Sequence, residues 1–167
     1  MNLDEFMGIF WRLFSVAVLV FLNGFFVAAE FALVKIRDTQ LQPLFRRGHK
    51  RARIARHVLQ NLDQSLSAAQ LGITLASLGL GWIGEPVFAK LLQPLSGLLN
   101  IQSATAQHTL SFIVGFTLIT FLHIVIGEQA PKWMAIQKPL PTALWIAAPL
   151  RAFGWITFPF IWVLNIP

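Results

Sequence analysis

LFSVAVLVFLNGFFVAA, residues 13–29, is a run of 17 residues without a charge. Two more such runs follow, 21 residues over positions 64–84 and 18 over 110–127. A hydrocarbon core about 30 Å thick needs roughly 20 helical residues to cross it. Within it, only helices and closed barrels satisfy their own backbone hydrogen bonds. None of the three runs alternates strictly between polar and apolar residues, so helices are expected. The fold class that follows is an all-α membrane protein, with three transmembrane helices plus cytoplasmic-side juxtamembrane or interfacial helices.

The bulk composition agrees. Of 167 residues, 56% are hydrophobic and 12% charged, with a mean hydropathy of +0.64. A water-soluble domain carries about twice that share of charge. The net charge of +6 is not spread as a nucleic-acid surface would be, because eight of the 13 Lys and Arg residues fall between Lys35 and Arg56. That cluster, directly after the first run, is the pattern of a cytoplasmic loop under the positive-inside rule, and no nucleic-acid partner is expected. There is no cysteine, which removes disulfides and thiolate metal sites. Asp4 and Glu5 precede the first run, and no small-residue cleavage site with a polar mature segment follows it. The run therefore reads as a retained anchor and not a signal peptide.

The expected organisation is a single membrane domain. Its spans cover about residues 9–34, 65–82 and 109–127, with a basic cytoplasmic loop at 35–61 and juxtamembrane helices at 138–167. In the loop, Leu41, Leu44 and Phe45, then Ile54, Val58 and Leu59, recur at near-helical spacing around Pro43 and Gly48. One or two short amphipathic helices beside anionic lipid are expected there. Gly79, Gly81 and Gly84, then Glu85–Pro86, are expected to end the second span. Leu91, Leu92, Leu95, Leu98 and Leu99 then look interfacial, and residues 102–107 look like an exposed turn. In the tail, Pro139, Pro141, Pro149 and Pro159 and the single Arg151 favour helices along the inner face over a fourth span. The charge asymmetry places the N-terminus outside and the basic loop and C-terminus in the cytoplasm of a multi-pass plasma or inner membrane protein. The apolar end at Ile166–Pro167 suggests that a soluble part has been removed.

Polar groups at membrane depth are costly and so mark candidate functional positions. On the first helix Asn23 and Glu30 lie seven residues apart on one face, with Gly24 beside them. Glu30 also suits a helix-end ion pair with Lys35 or Arg37. On the second, Ser67, Gln70, Thr74, Ser77 and Gly81 form a stripe at spacings of 3, 4, 3 and 4. The stripe serves either helix packing through small residues and hydroxyls or an ion path. On the third, Gly127 and Pro131 interrupt the helix around Glu128, and the freed carbonyls need partners. A carboxylate beside such carbonyls is a hard-oxygen site, suited to Mg²⁺ or Ca²⁺. His123 reads as a packed polar residue and is left out of the site. Trp11, Trp82 and Trp133 read as interfacial anchors. No catalytic constellation is visible, so an enzyme is not expected.

Three motifs together carry a resemblance. LNGFFVAAEFAL (residues 22–33), SAAQLGITLAS (67–77) and GEQAPK (127–132) resemble, in order and spacing, the transmembrane domain of the CorC/CNNM family. The resemblance implies a homodimeric Mg²⁺ exporter with Na⁺ as the exchanged ion. It also implies a following CBS pair that binds ATP and a small CorC domain, both beyond this chain. Carried over residue by residue, it points to Glu128, Asn23, Thr74, Ser77 and Gly127 as metal ligands. Gln70, Ser67, Glu30, Val27, Pro131 and Lys132 would support the site or line the path. Many relatives have a hydroxyl where this chain has Val27 and Ala29, so the first-helix ligand is Asn23 or a backbone carbonyl near Val27. The rival readings are a membrane anchor for a nucleotide-sensing domain and a passive cation channel.

Overall fold

The computed structural model describes residues 3–98 and 103–164. Helix α1 (Leu3–Lys35) is followed by α2 (Asp38–Arg46), α3 (Lys50–Gln60) and α4 (Leu62–Leu98). Then come α5 (Ala104–Leu122), a π-helical segment (His123–Gln129), α6 (Ala130–Gln137), α7 (Pro139–Ile156) and α8 (Phe158–Leu164). No strand occurs among the described residues. Three stretches are long and apolar enough to cross a membrane: Met7–Lys35, Leu62–Gly84 and Thr105–Gln137. The protein is an all-α membrane protein.

The basic loop folds as two short helices, α2 and α3, as its periodicity predicts. Gly48 makes the turn between them. Its φ of 75° lies in the left-handed region, and its N–H bonds the Phe45 carbonyl. A glycine at that position past a helix end satisfies carbonyls that the helix leaves open. Asp38 and Arg56 then join α2 to α3 through a two-pronged pair, with Nε–Oδ1 at 3.1 Å and Nη2–Oδ2 at 3.5 Å.

Helix α4 departs from expectation. It passes through Gly84–Glu85–Pro86 and runs on to Leu98, 37 residues in all. At about 1.5 Å per residue it is longer than a bilayer core is thick. Two of the three glycines that read as a helix end are contact positions instead, and Gly81 is not. A Cβ on Gly79 would lie 3.2 Å from Leu19, and one on Gly84 would overlap the end of Ile119. Glycine costs a membrane helix less than a lost close contact does. The proposed turn at 102–107 is also not one. Gln102 and Leu99 lie outside the described residues, and residues 104–107 are the first turn of α5, capped by Ser103 Oγ accepting from Ala106 N at 3.4 Å.

The tail forms α7 and α8, neither of which is among the three candidate spans. Pro139 and Pro141 sit at the start of α7, where a missing N–H costs nothing. Pro149 lies inside α7 without breaking it, contrary to its expected role as a divider. Residues 165–167 lie outside the described residues.

The main core forms where the end of α1 meets α3, α6 and α7, and it is built largely from alanine. Ala29, Ala32, Ala52, Ala69, Ala135, Ala143 and Ala147 are fully buried, with Leu33, Leu41, Ile146 and Leu150 filling the spaces. Lipid tails are as apolar as these side chains, so close van der Waals contact holds the helices together here, and small residues permit it. Large apolar groups face outward instead, among them Phe21, Leu78 and Phe121.

The α1–α4 seam gives a direct test. A Cβ on Gly72 would meet the ring of buried Phe26 at 2.5 Å, whereas a Cβ on Gly81 finds nothing within 4 Å. Gly72→Ala should therefore lose about 1–3 kcal/mol through overpacking, and Gly81→Ala should be neutral or slightly stabilising. Thermal unfolding in detergent reads both, and a Gly72→Ala variant melting with the parent would contradict this seam.

Candidate membrane-embedded polar site

Pro131 sets the site up. Proline has no N–H, so the Gly127 carbonyl, four residues earlier, loses the donor an α-helix would supply. The chain around it widens into the π-helical segment, and the Ala130 N–H reaches back five residues to Val125. An open carbonyl in hydrocarbon is expensive. Asn23 closes it from α1: its Nδ2 donates to Gly127 O at 3.0 Å. The other end of the same amide, Oδ1, accepts from Ser77 Oγ of α4 at 3.2 Å. Asn23 is completely buried. One side chain therefore ties together all three spans.

Two glycines make this approach possible. A Cβ on Gly24 would lie 2.9 Å from Pro131 Cγ and 3.6 Å from Gly127 O. A Cβ on Gly127 would lie 2.9 Å from the His123 ring and 3.3 Å from Asn23 Nδ2. A side chain at Gly24 would push α1 off Pro131, and one at Gly127 would crowd the His123 ring and the Asn23 amide.

Glu128 follows directly on Gly127, with its side chain 42% exposed and Oε1 3.6 Å from His123 Nε2. That nitrogen is buried and has no hydrogen-bond partner among the described residues. His123 also lines a cavity of about 250 Å³ between α4 and α5, together with Ser77, Gly81, Thr120 and three apolar side chains. The cavity thus reaches Ser77, and through it the Asn23 amide.

Sequence reasoning left out His123 and Thr120. Residues five apart lie about 140° apart around an α-helix, so His123 and Glu128 do not read as neighbours. A π turn pairs i with i+5 and brings them to one side. The available signal was the Gly–Pro interruption itself, since π turns occur often at functional sites.

The structure brings Asn23, Ser77 and Gly127 into direct contact, with Glu128 adjoining. The other named positions lie elsewhere. Thr74 is exposed, and its hydroxyl donates to the Gln70 carbonyl of its own helix at 2.9 Å. Gln70 is exposed too, with Nε2 3.5 Å from Glu30 Oε1. Glu30 therefore meets α4, and among the described residues it makes no ion pair with Lys35 or Arg37. Ser67 Oγ donates to the Asp63 carbonyl at 2.9 Å. Val27 is buried. Pro131 packs on Gly24, and the Lys132 ammonium lies 4.6 Å from the centre of the Phe31 ring, a cation–π contact.

No group of three or more His, Cys, Asp or Glu side chains comes together among the described residues. The cluster is one carboxylate beside an amide, a hydroxyl and a carbonyl, oxygen ligands of the kind hard cations take.

Comparison with known proteins gives a consistent family. The sequence pattern of the cyclin M transmembrane N-terminal domain matches residues 14–167. UPF0053 protein YhdT of Bacillus subtilis is 52% identical over 153 residues, covering 92% of this chain and 33% of that protein. UPF0053 protein YugS of the same organism is 48% identical over 154 residues, covering 92% and 36%. UPF0053 protein sll0260 of Synechocystis is 33% identical over 156 residues, covering 93% and 34%. The chain spans about a third of the length of these curated relatives. On the match over residues 14–167, the chain belongs to the cyclin M (CNNM/CorC) transmembrane domain family.

Proposed function

We propose that this chain is the ion-translocating domain of a Mg²⁺ exporter, with a single cation site between α1, α4 and the π segment. The observation that carries the reading is the fully buried Asn23 amide bridging Ser77 Oγ and Gly127 O. Mg²⁺ prefers six oxygens at about 2.0–2.1 Å, so neighbouring ligands stand about 2.9 Å apart. The Ser77 Oγ to Asn23 Oδ1 separation of 3.2 Å is close to that edge. Binding asks the Ser77 hydroxyl proton to turn away and the Asn23 amide to pivot. Glu128 supplies the charge, and the Gly127 carbonyl supplies a further neutral oxygen. A lone carboxylate holds a divalent ion weakly enough to let it go. Thr74 and Gln70, on the exposed side of α4, belong in this reading to the path or to contact with a second copy.

The cycle follows from the same parts. In this reading the site is loaded from the face bearing α2 and α3, which the positive charge assigns to the cytoplasm. Rocking of α1 against α4 and the π segment exposes it to the other face. Na⁺ moving inward through the cavity beside Ser77 and His123 drives the exchange. The protein works as a homodimer in the plasma or inner membrane. The lengths of the relatives beyond this domain would include an ATP-binding CBS pair that regulates it.

Two substitutions test the reading. In Mg²⁺-loaded vesicles, Glu128→Gln should abolish Mg²⁺ release while unfolding at the parent's temperature. Full flux in that variant rejects the site. Asn23→Ala leaves the Gly127 carbonyl open and should cost about 1–3 kcal/mol of stability. It should also remove any thermal stabilisation by added Mg²⁺. If the parent itself gains no stability from Mg²⁺, the domain acts as an anchor and not a transporter.

A further inference from the structure

Away from the polar site, a second pocket lies where the α3–α4 corner meets the end of α7 and the start of α8. Its volume is about 220 Å³, and its lining includes His57, Asn61, Gln64, Arg151, Trp155 and Phe158. No carboxylate lines it. Some of its polar groups are already committed: Asn61 Nδ2 donates to His57 O at 2.9 Å, and Ser65 Oγ donates to Val58 O and Asn61 O. The guanidinium of Arg151, the imidazole of His57 and the Gln64 amide make no hydrogen bond or ion pair among the described residues. Two other cations on this side of the fold do have partners, Arg56 with Asp38 and Lys132 with the Phe31 ring. Arg151 is the single charge between Pro139 and Leu164.

The surroundings of the pocket are exposed and largely aromatic. Trp155 is 83% exposed, and Ile156, Phe158, Phe160 and Trp162 are exposed beside it. Such a band belongs at the level of lipid headgroups, where aromatic rings are partly wet and partly apolar. A guanidinium there binds phosphate through paired N–H donors. The pocket is smaller than the roughly 300 Å³ at which drug-sized ligands begin to fit, so it suits a headgroup and not a nucleotide.

We propose that this corner is a binding site for the phosphate-bearing headgroup of an anionic phospholipid. Arg151 and His57 donate to the phosphate, Gln64 and the free Asn61 oxygen meet the glycerol hydroxyls, and Trp155 and Phe158 flank the first acyl carbons. The lipid would tie α7 and α8 to the corner from which α4 enters the membrane. This site is independent of the cation site, and its failure leaves that reading untouched.

The test is native mass spectrometry of the whole chain in detergent with equal phosphatidylglycerol and phosphatidylcholine. Preferential retention of phosphatidylglycerol is expected, reduced about fivefold by Arg151→Gln, the worth of one basic residue at an anionic surface. Arg53→Gln, exposed on α3 outside the pocket, should leave retention unchanged. Equal loss in both variants, or in neither, overturns the proposal. Should Arg151→Gln fail to fold, quenching in the parent decides: brominated phosphatidylglycerol should quench the fluorescence that Trp155→Phe removes, and brominated phosphatidylcholine should not. Equal quenching by both overturns it. Glycerol phosphate that displaces the lipid at comparable concentration would assign the pocket to soluble phosphate and overturn the lipid source.

Discussion

A carbonyl that its own helix cannot satisfy, in a place without water, is the constraint on which the rest of this structure depends. Pro131 withholds the N–H that Gly127 O would receive. In hydrocarbon an unpaired carbonyl costs several kcal/mol. Asn23 meets that need from another helix and uses its second polar atom to hold Ser77. The glycines at 24 and 127, the widened turn at His123–Gln129 and the close α1–α4 seam all serve that one approach. Packing alone gives α1 several ways to lie against α4, whereas the amide bridge selects one register.

The same bridge explains why a region built for stability is also a candidate for ion binding. Three neutral oxygens are gathered around the buried Asn23 amide, with a carboxylate at the residue after Gly127. The GEQAPK stretch supplies both the proline that opens the carbonyl and the carboxylate beside it. Val27 and Ala29 are buried apolar positions here. On the proposed reading the first-helix side-chain oxygen is that of Asn23.

Much of the fold was legible in the sequence because membrane helices announce themselves by length and lack of charge. The spans at Met7–Lys35 and Leu62–Gly84 and the two helices of the basic loop follow from hydropathy and period. The course of α4 beyond Gly84 did not, because glycine and proline read as punctuation in water and as packing positions in a bilayer. Within the site, Asn23 and Gly127 were legible as polar or interrupting residues at depth, but their mutual contact was not. Nor was the pairing of His123 with Glu128, which depends on a π turn that no α-helical periodicity reveals. Thr74 and Ser77 share one stripe, and only the crossing of α1 over α4 decides that Ser77 meets Asn23 while Thr74 stays at the surface.

The most direct test of the cation site is a high-resolution structure of the domain in lipid with Mg²⁺. The account predicts density about 2.1 Å from Asn23 Oδ1 and Ser77 Oγ, with the Glu128 carboxylate turned toward it. An Asn23 amide still hydrogen-bonded to Ser77 and Gly127, with Glu128 facing away and no density between them at saturating Mg²⁺, would contradict it.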